Sequence, residues 1–172
     1  MNINQIANAI RIVEGFPTKG VSFKDITPIM KNPELFKGTI EIMAETVSRI
    51  GADYVAGVDA RGFFLAPPIA YLLGIGFIPI RKKGKLPYNC YDCTYNLEYG
   101  QSTLSIHIDA VEKGKKVVIV DDVLATGGTL NACVNLVRQC GGIIETCFCL
   151  MELNEFSGRN NVDADVISLI SI

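Results

Sequence analysis

Two adjacent carboxylates, Asp121 and Asp122, stand between an apolar run and a turn of small residues. The run 116–120 is typical of a buried strand that ends at the carboxylates, and the apolar spacing over 130–137 predicts a helix after the turn. In an α/β sheet, the carboxyl ends of the strands border the crevice in which ligands bind. Carboxylate oxygens suit the hydroxyl groups of a ligand, as hydrogen-bond acceptors, or a hard cation such as Mg2+.

The turn itself, residues 126–129, lacks bulky side chains. Its backbone N–H groups, at the start of a helix, can therefore close around an anion, most often a phosphate. A phosphate site beside acceptors for hydroxyl groups predicts a phosphorylated sugar as the ligand. Asp and Gly are also ordinary turn residues, so a plain acidic turn would explain any two or three of these residues but not their whole order.

This segment resembles the phosphoribosyl pyrophosphate (PRPP) binding motif of the type I phosphoribosyltransferases. Other phosphate motifs fit it less well. The segment lacks the lysine of a P-loop, and the adjacent pair Gly127-Gly128 does not fit the G-x-G-x-x-G pattern of dinucleotide sites.

Length and composition indicate a single packed domain over residues 1–172, of which 49% are hydrophobic and 20% charged. A net charge of −2 does not indicate a surface that binds nucleic acid, because such surfaces are strongly basic. The uncharged stretch 62–80 contains prolines and glycines and divides into a helix, a turn and a strand, so we expect no membrane span. Polar residues run throughout positions 1–15, so we expect no secretory signal and a cytoplasmic protein.

Six cysteines raise the questions of disulfides and of zinc. Only Cys90 and Cys93 have the spacing of a metal or redox motif, and no second pair lies nearby in sequence. We therefore expect reduced thiols.

Along the chain, strands alternate with helices, which predicts an α/β fold: a doubly wound, mainly parallel sheet flanked by helices. Helices are predicted from residue 3 to about 14, from about 33 to 50, and up to about 73. Strands are predicted at 54–58, 77–80, 102–107, 143–150 and 166–170. Residues 15–28 are expected to be a loop-rich segment. The polar stretch 81–101 is predicted to be a long flexible surface loop, and loops of that length often serve as lids.

Four further segments resemble the adenine phosphoribosyltransferases within the type I family. They are Phe16 to Pro28, Asp59-Ala60-Arg61-Gly62-Phe63, Arg81 to Pro87, and Leu97-Glu98-Tyr99-Gly100. The resemblance implies the type I phosphoribosyltransferase fold, with a lid and a small hood from the N-terminal and C-terminal segments. It also implies a purine salvage transferase that converts adenine and PRPP to AMP and pyrophosphate with Mg2+ as cofactor, and a homodimer with the Arg81 region near its interface.

The resemblance also implies a role for each site residue. The 5′-phosphate would bind Ala125, Thr126, Gly127, Gly128 and Thr129. Asp121 and Asp122 would face the ribose and offset positive charge as its ring becomes oxocarbenium-like. Pyrophosphate would contact Asp59, Ala60, Arg61, Arg81, Lys82, Lys85 and Tyr99, and the family often has a cis peptide before the arginine. Adenine would contact Ser22, Phe23, Lys24 and Leu153. Glu98 would be the general acid or base, and Mg2+ would be held mainly by PRPP and water.

Two other functions remain open. A phosphoribosyltransferase for a 6-oxopurine or xanthine would share the PRPP motif and differ in the base pocket. Lys24 bears on this choice, because the family often has arginine there and a lysine side chain that bonded the base would favour a 6-oxo group. A non-catalytic PRPP-sensing regulatory module would need a DNA-binding or partner element, and the sequence shows neither.

Overall fold

The computed structural model describes residues 2–96 and 100–172. The chain divides into two compact units, Met1–Met43 and Ala44–Ile172. None of the described helices is both long and apolar enough to cross a membrane.

The first unit contains short helices and a two-stranded sheet. Helix α1 (Ile3–Asn8) begins at Asn2, whose side chain accepts hydrogen bonds from two backbone N–H groups of the first turn. Strand β1 (Arg11–Glu14) pairs antiparallel with β2 (Ser22–Asp25). Helix α2 (Thr27–Lys31) follows, and α3 (Pro33–Ile50) begins in this unit and ends in the second.

The prediction of one helix up to residue 14 is wrong, because residues 11–14 form β1. Their apolar residues fit helical spacing, but their backbone groups pair with a strand that lies beyond a turn, which local periodicity does not report. For the same reason the predicted loop 15–28 contains β2. It also contains the start of α2. The predicted long helix is confirmed as α3.

The second unit is built on a seven-stranded sheet with the order β5-β6-β4-β3-β7-β8-β9. Its strands are β3 (Tyr54–Val58), β4 (Gly76–Lys82), β5 (Cys90–Asn96), β6 (Gln101–His107), β7 (Lys116–Leu124), β8 (Ile143–Glu152) and β9 (Val166–Ser171). The pairs β3–β4, β3–β7, β7–β8 and β8–β9 are parallel, and β6 pairs antiparallel with both β4 and β5. The α/β class and the mainly parallel sheet are confirmed.

Helix α4 (Ala66–Leu73) packs on β3 and β4, and α5 (Gly128–Gln139) packs on β5, β7 and β8. Apolar residues of α5, among them Leu130, Val134 and Val137, are buried against the sheet and fix the start of α5 at the end of β7. The buried thiols Cys133 and Cys147 belong to this apolar cluster.

Residues 81–101 differ from the predicted long loop, because β4 extends to Lys82 and residues 90–96 form β5. The alternation of Tyr91, Cys93 and Tyr95 with polar residues is the period of a strand, and the many polar residues concealed it. Cys90 and Cys93 lie three residues apart in β5, so they point to opposite faces of the strand and cannot pair with each other.

Candidate active site

The carboxylate pair lies within the last residues of β7, the strand next to the central strand β3. The strand continues through both carboxylates to Leu124, so the prediction that it ends at the two carboxylates is corrected. The side chains are almost completely buried, with residue exposures of 8% for Asp121 and 2% for Asp122. The backbone N–H of Asp122 donates to Oδ1 of Asp121 at 2.9 Å, which holds the Asp121 carboxylate against the backbone of Asp122.

Arg61 approaches this pair from the neighbouring strand. It begins a 3₁₀ turn (Arg61–Phe64) that follows β3, and β3 runs parallel to β7, so the two strands end at the same edge. Arg61 Nε lies 2.8 Å from Asp122 Oδ2. Gly62 allows this approach, because a Cβ there would lie 2.7 Å from the Val120 carbonyl oxygen.

The turn before Arg61 contains a cis peptide bond that is not a proline bond, between Asp59 and Ala60. The resemblance implied a cis bond between Ala60 and Arg61, one residue later, so the position is corrected.

Burial governs the protonation of the two carboxyls. It raises the pKa of Asp121 well above the usual value, and the charge of Asp122 raises it further. Burial also raises the pKa of Asp122, but the guanidinium of Arg61 opposes that rise. Ionisation of both carboxyls at once is therefore unfavourable in this site. A positive charge nearby would favour the state in which both are ionised.

A second arginine extends the site along the same edge. Arg81 Nε lies 3.4 Å from Asp59 Oδ2, and Arg81 Nη1 donates to the Lys85 carbonyl at 3.1 Å. The guanidinium also lies 6.0 Å from the centre of the Phe63 ring. These contacts hold Arg81 next to the turn that carries Arg61. The nearby Lys82 and Lys85 are exposed.

The predicted phosphate turn joins β7 to α5. Gly127 has φ 86°, a left-handed conformation that glycine adopts without strain, and helix α5 begins at Gly128. Ala125, Thr126 and Thr129 are partly buried. The structure thus places the predicted phosphate residues within one turn, which follows the end of β7, two residues beyond the carboxylate pair.

The residues assigned to adenine by resemblance lie in both units. In β2, Lys24 Nζ donates to Ser22 Oγ at 2.8 Å, and the Phe23 ring packs edge-on against Phe16 at 5.2 Å between centres. Leu153 follows β8 and is partly exposed, and its N–H donates to the Leu124 carbonyl at 2.9 Å.

The prediction for Glu98 and Tyr99 falls outside the described residues. Among the residues that are described, no three His, Cys, Asp or Glu side chains form a cluster that could hold a metal ion.

Two residues that contact the phosphate turn were missed as site residues. Asn161 Nδ2 donates to the Thr126 carbonyl at 2.8 Å, and Gly158 packs on the Ala125 carbonyl. Gly158 lies outside the segments that carry the resemblance given above, and no local pattern marks Asn161.

Comparison with known proteins assigns the chain to a family. A family model described as "Phosphoribosyl transferase domain" matches residues 25–172. A curated adenine phosphoribosyltransferase of Petrotoga mobilis is 48% identical over 171 residues, which is 99% of each protein. The chain belongs to the phosphoribosyltransferase family. This confirms the family predicted from its motifs.

Solved phosphoribosyltransferases share the whole fold. The crystal structure of adenine phosphoribosyltransferase from Thermoanaerobacter pseudethanolicus has a TM-score of 0.96 at 46% identity, covering 99% of this chain and 100% of that one. The adenine phosphoribosyltransferase of Saccharomyces cerevisiae, solved with D-2,5-dideoxy-2,5-imino-altritol 1,6-bisphosphate and adenine, has a TM-score of 0.92 at 37% identity, covering 97% of each chain.

Proposed function

We propose that this phosphoribosyltransferase transfers the 5-phosphoribosyl group of PRPP to adenine, giving AMP and pyrophosphate in purine salvage. The observation that carries the proposal is the buried pair Asp121 and Asp122 beside the glycine turn, in a chain that aligns along 99% of its length with an adenine phosphoribosyltransferase. In this reaction a ring nitrogen of adenine bonds to C1 of the ribose, and the bond from C1 to the pyrophosphate oxygen breaks. The displaced pyrophosphate keeps the electron pair, and the adenine nitrogen loses its proton.

The carboxylate pair would stabilise the sugar in the transition state. As the bond to pyrophosphate breaks, the ribose ring gains positive charge. Both side chains are buried, a backbone N–H holds the Asp121 carboxylate, and Arg61 holds the Asp122 carboxylate. Their negative charge therefore needs no reorganisation when positive charge develops on the ring. Their oxygens would also accept hydrogen bonds from the ribose hydroxyls.

Arg61 and Arg81 would stabilise the leaving pyrophosphate, with Lys82 and Lys85 adding positive charge nearby. Both arginines lie on the edge of the sheet that carries the carboxylate pair, and Arg61 is already held at Asp122. Pairs between guanidinium and phosphate oxygens are strong because both partners are charged and the geometry allows two hydrogen bonds. Asp59 would position Arg81, and the Ala60 backbone would line the same turn. The 5′-phosphate would bind the backbone N–H groups and hydroxyls of residues 125–129.

Mg2+ fits this site as an ion held mainly by the substrate. Mg2+ commonly uses one or two carboxylates together with substrate phosphates and water, rather than an all-protein cage. Asp121 and Asp122 would supply those carboxylates. They would either contact the ion directly or bind the ribose hydroxyls that contact it. When bound, the ion would neutralise charge on the pyrophosphate group.

The base would be selected mainly by backbone groups around Ser22 and Lys24. Adenine presents a donor at its amine and an acceptor at N1, and hypoxanthine presents the reverse. The Lys24 side chain is bonded to Ser22 Oγ, which supports a backbone rather than a side-chain readout. Phe23 and Leu153 would contact the ring faces. Glu98 would exchange a proton with the base, and Tyr99 would help exclude water from PRPP.

We also propose a cytoplasmic homodimer that binds neither nucleic acid nor membrane, on the basis of the resemblance and the net charge of −2.

The test is to incubate the purified protein with adenine, PRPP and Mg2+ and to measure AMP and pyrophosphate by chromatography. Equal amounts of the two products are expected, and none when PRPP is omitted. Absence of AMP from a folded protein would refute the proposal.

A further inference from the structure

The phosphate turn, residues 125–129, rests on a segment from near the end of the chain that we call the brace, residues 158–163. Its first part is a 3₁₀ turn, Gly158–Asn161. A Cβ on Gly158 would overlap the Ala125 carbonyl oxygen, and a Cβ on Gly127 would overlap the Gly158 carbonyl oxygen. The two backbones are therefore in direct contact, and that contact requires glycine on both sides.

The contacts orient two peptide groups of the turn. Ala125 presents its carbonyl to Gly158, and the carbonyl of Thr126 accepts a hydrogen bond from Asn161 at 2.8 Å. These peptides are trans, since the cis bonds among the described residues are Phe16–Pro17 and Asp59–Ala60. In a trans peptide the C=O and the following N–H point in opposite directions. The N–H groups of Thr126 and Gly127 therefore point away from the brace.

The brace is held firmly by the sheet. Arg159 Nε donates to both carboxylate oxygens of Glu152 at 2.7 Å, and Arg159 Nη2 donates to Ser168 Oγ at 2.8 Å. Arg159 Nη1 also donates to the Val166 carbonyl. Glu152 is buried at 6% exposure, and its hydrogen bonds from Arg159 lower its pKa, so it remains ionised and keeps the arginine in place.

Helix α5 holds the other end of the brace. Arg138 donates from Nη1 to Asp163 Oδ2 at 2.5 Å and from Nη2 to the Asp163 carbonyl at 2.7 Å. The N–H of Asp163 donates to Asn131 Oδ1 at 3.0 Å. The brace is therefore fixed at both ends, and the side chain of Asn161 lies between these anchors and the phosphate turn.

We propose that Asn161 and Gly158 are positioning residues for the 5′-phosphate of PRPP, an inference that rests on the proposed function. They act through the turn: by holding the carbonyls of Ala125 and Thr126 on one side, they aim the next two N–H groups toward the phosphate. Preorganised donors bind an anion without first having to reorient. Losing the brace contact should therefore weaken phosphate binding, with no direct effect on the base or on the bond that breaks.

The decisive variant is Asn161→Ala, with Asn160→Ala as a matched control. Asn160 is the preceding asparagine of the same turn, is exposed, and makes no side-chain hydrogen bond within residues 2–96 and 100–172. Asn161→Ala should raise the Kd for ribose 5-phosphate, by calorimetry, and the KM for PRPP by about three- to tenfold. The kcat, the KM for adenine and the Tm should remain close to wild type. Asn160→Ala should change none of these quantities.

Gly158→Ala gives a steric test of the same contact. The added methyl group would overlap the Ala125 carbonyl, so the turn must shift, and the Kd for ribose 5-phosphate should rise at least about tenfold. If this variant does not fold, Asn161→Ala still tests the inference. The inference is overturned if Asn161→Ala binds ribose 5-phosphate as Asn160→Ala does. It is also overturned if the KM values for PRPP and adenine rise together while the Tm falls, which would indicate general loosening. A wild-type protein that binds ribose 5-phosphate but forms no AMP would refute the proposed function alone.

Discussion

Replacing Asp122 with asparagine should reduce turnover strongly and change stability little. The substitution keeps the size of the side chain and removes one of two buried negative charges. If that charge stabilises the sugar as it becomes positive, its loss should lower kcat by about ten- to a thousandfold, as when a preorganised polar group is removed from other active sites.

The stability effect follows from the surroundings of Asp122. The variant loses the ion pair with Arg61 at 2.8 Å, but the Arg61 side chain is 35% exposed, so water can hydrate the guanidinium and the loss is about 1 kcal/mol. Removing the charge of Asp122 also removes two unfavourable effects: its repulsion of the Asp121 carboxylate, which raises the pKa of Asp121, and the burial of its own charge, which raises the pKa of Asp122. These effects oppose each other. We expect a net change within about 1 kcal/mol, or about 2–4 °C in Tm.

The assay combines steady-state kinetics with thermal unfolding. Asp53→Asn is a matched control, because Asp53 accepts a hydrogen bond from the Lys116 N–H at the start of β7, the end opposite the site. The control should keep its turnover. Asp122→Asn with wild-type kcat would refute the electrostatic role of the pair, and a large drop in Tm would refute the account of its stability.

Three further predictions concern other parts of the site. Asp121→Asn should stabilise the protein near neutral pH in urea unfolding, and the gain should shrink as pH falls. The reason is that the pKa of Asp121 is raised in the folded state. The stability of the wild type therefore decreases as pH rises from the ordinary Asp range through that raised pKa. A gain in stability that does not vary with pH would contradict this. Lys24→Ala should keep the preference for adenine while Phe23→Ala weakens all purine bases alike, and loss of the preference in Lys24→Ala would exclude the backbone readout. Glu98→Leu should lower kcat more than it raises the KM for PRPP, and an unchanged kcat would argue against its role in proton transfer.

The fold was predictable where local pattern and final structure agree. Helix α3 and strand β7 are long, periodic and bounded by clear signals, and both were predicted. Strand β1 was not, because its conformation depends on pairing with β2 across a turn. Strand β5 was missed because its polar residues suggested a loop, although its aromatic residues alternate.

The site divides in the same way. Asp121, Asp122 and the glycine turn all lie within residues 121–129, so local pattern alone is enough to predict that they lie together. The ion pair from Arg61 to Asp122 depends on β3 and β7 lying side by side, which the sequence did not specify. Asn161 is 35 residues from Thr126, and only the tertiary structure brings its amide to that carbonyl.

The most direct test of the central claim is a competition among bases. Adenine, hypoxanthine, guanine and xanthine are supplied together in equal amounts with limiting PRPP and with Mg2+, and the ratio of nucleotide products gives the ratio of kcat/KM values. A buried polar group without a partner costs about 1–3 kcal/mol, and hypoxanthine would leave two of them mismatched, so AMP should exceed IMP by about a hundredfold or more. Equal amounts of AMP and IMP, or a predominance of any 6-oxopurine nucleotide, would contradict the assignment of adenine as the substrate.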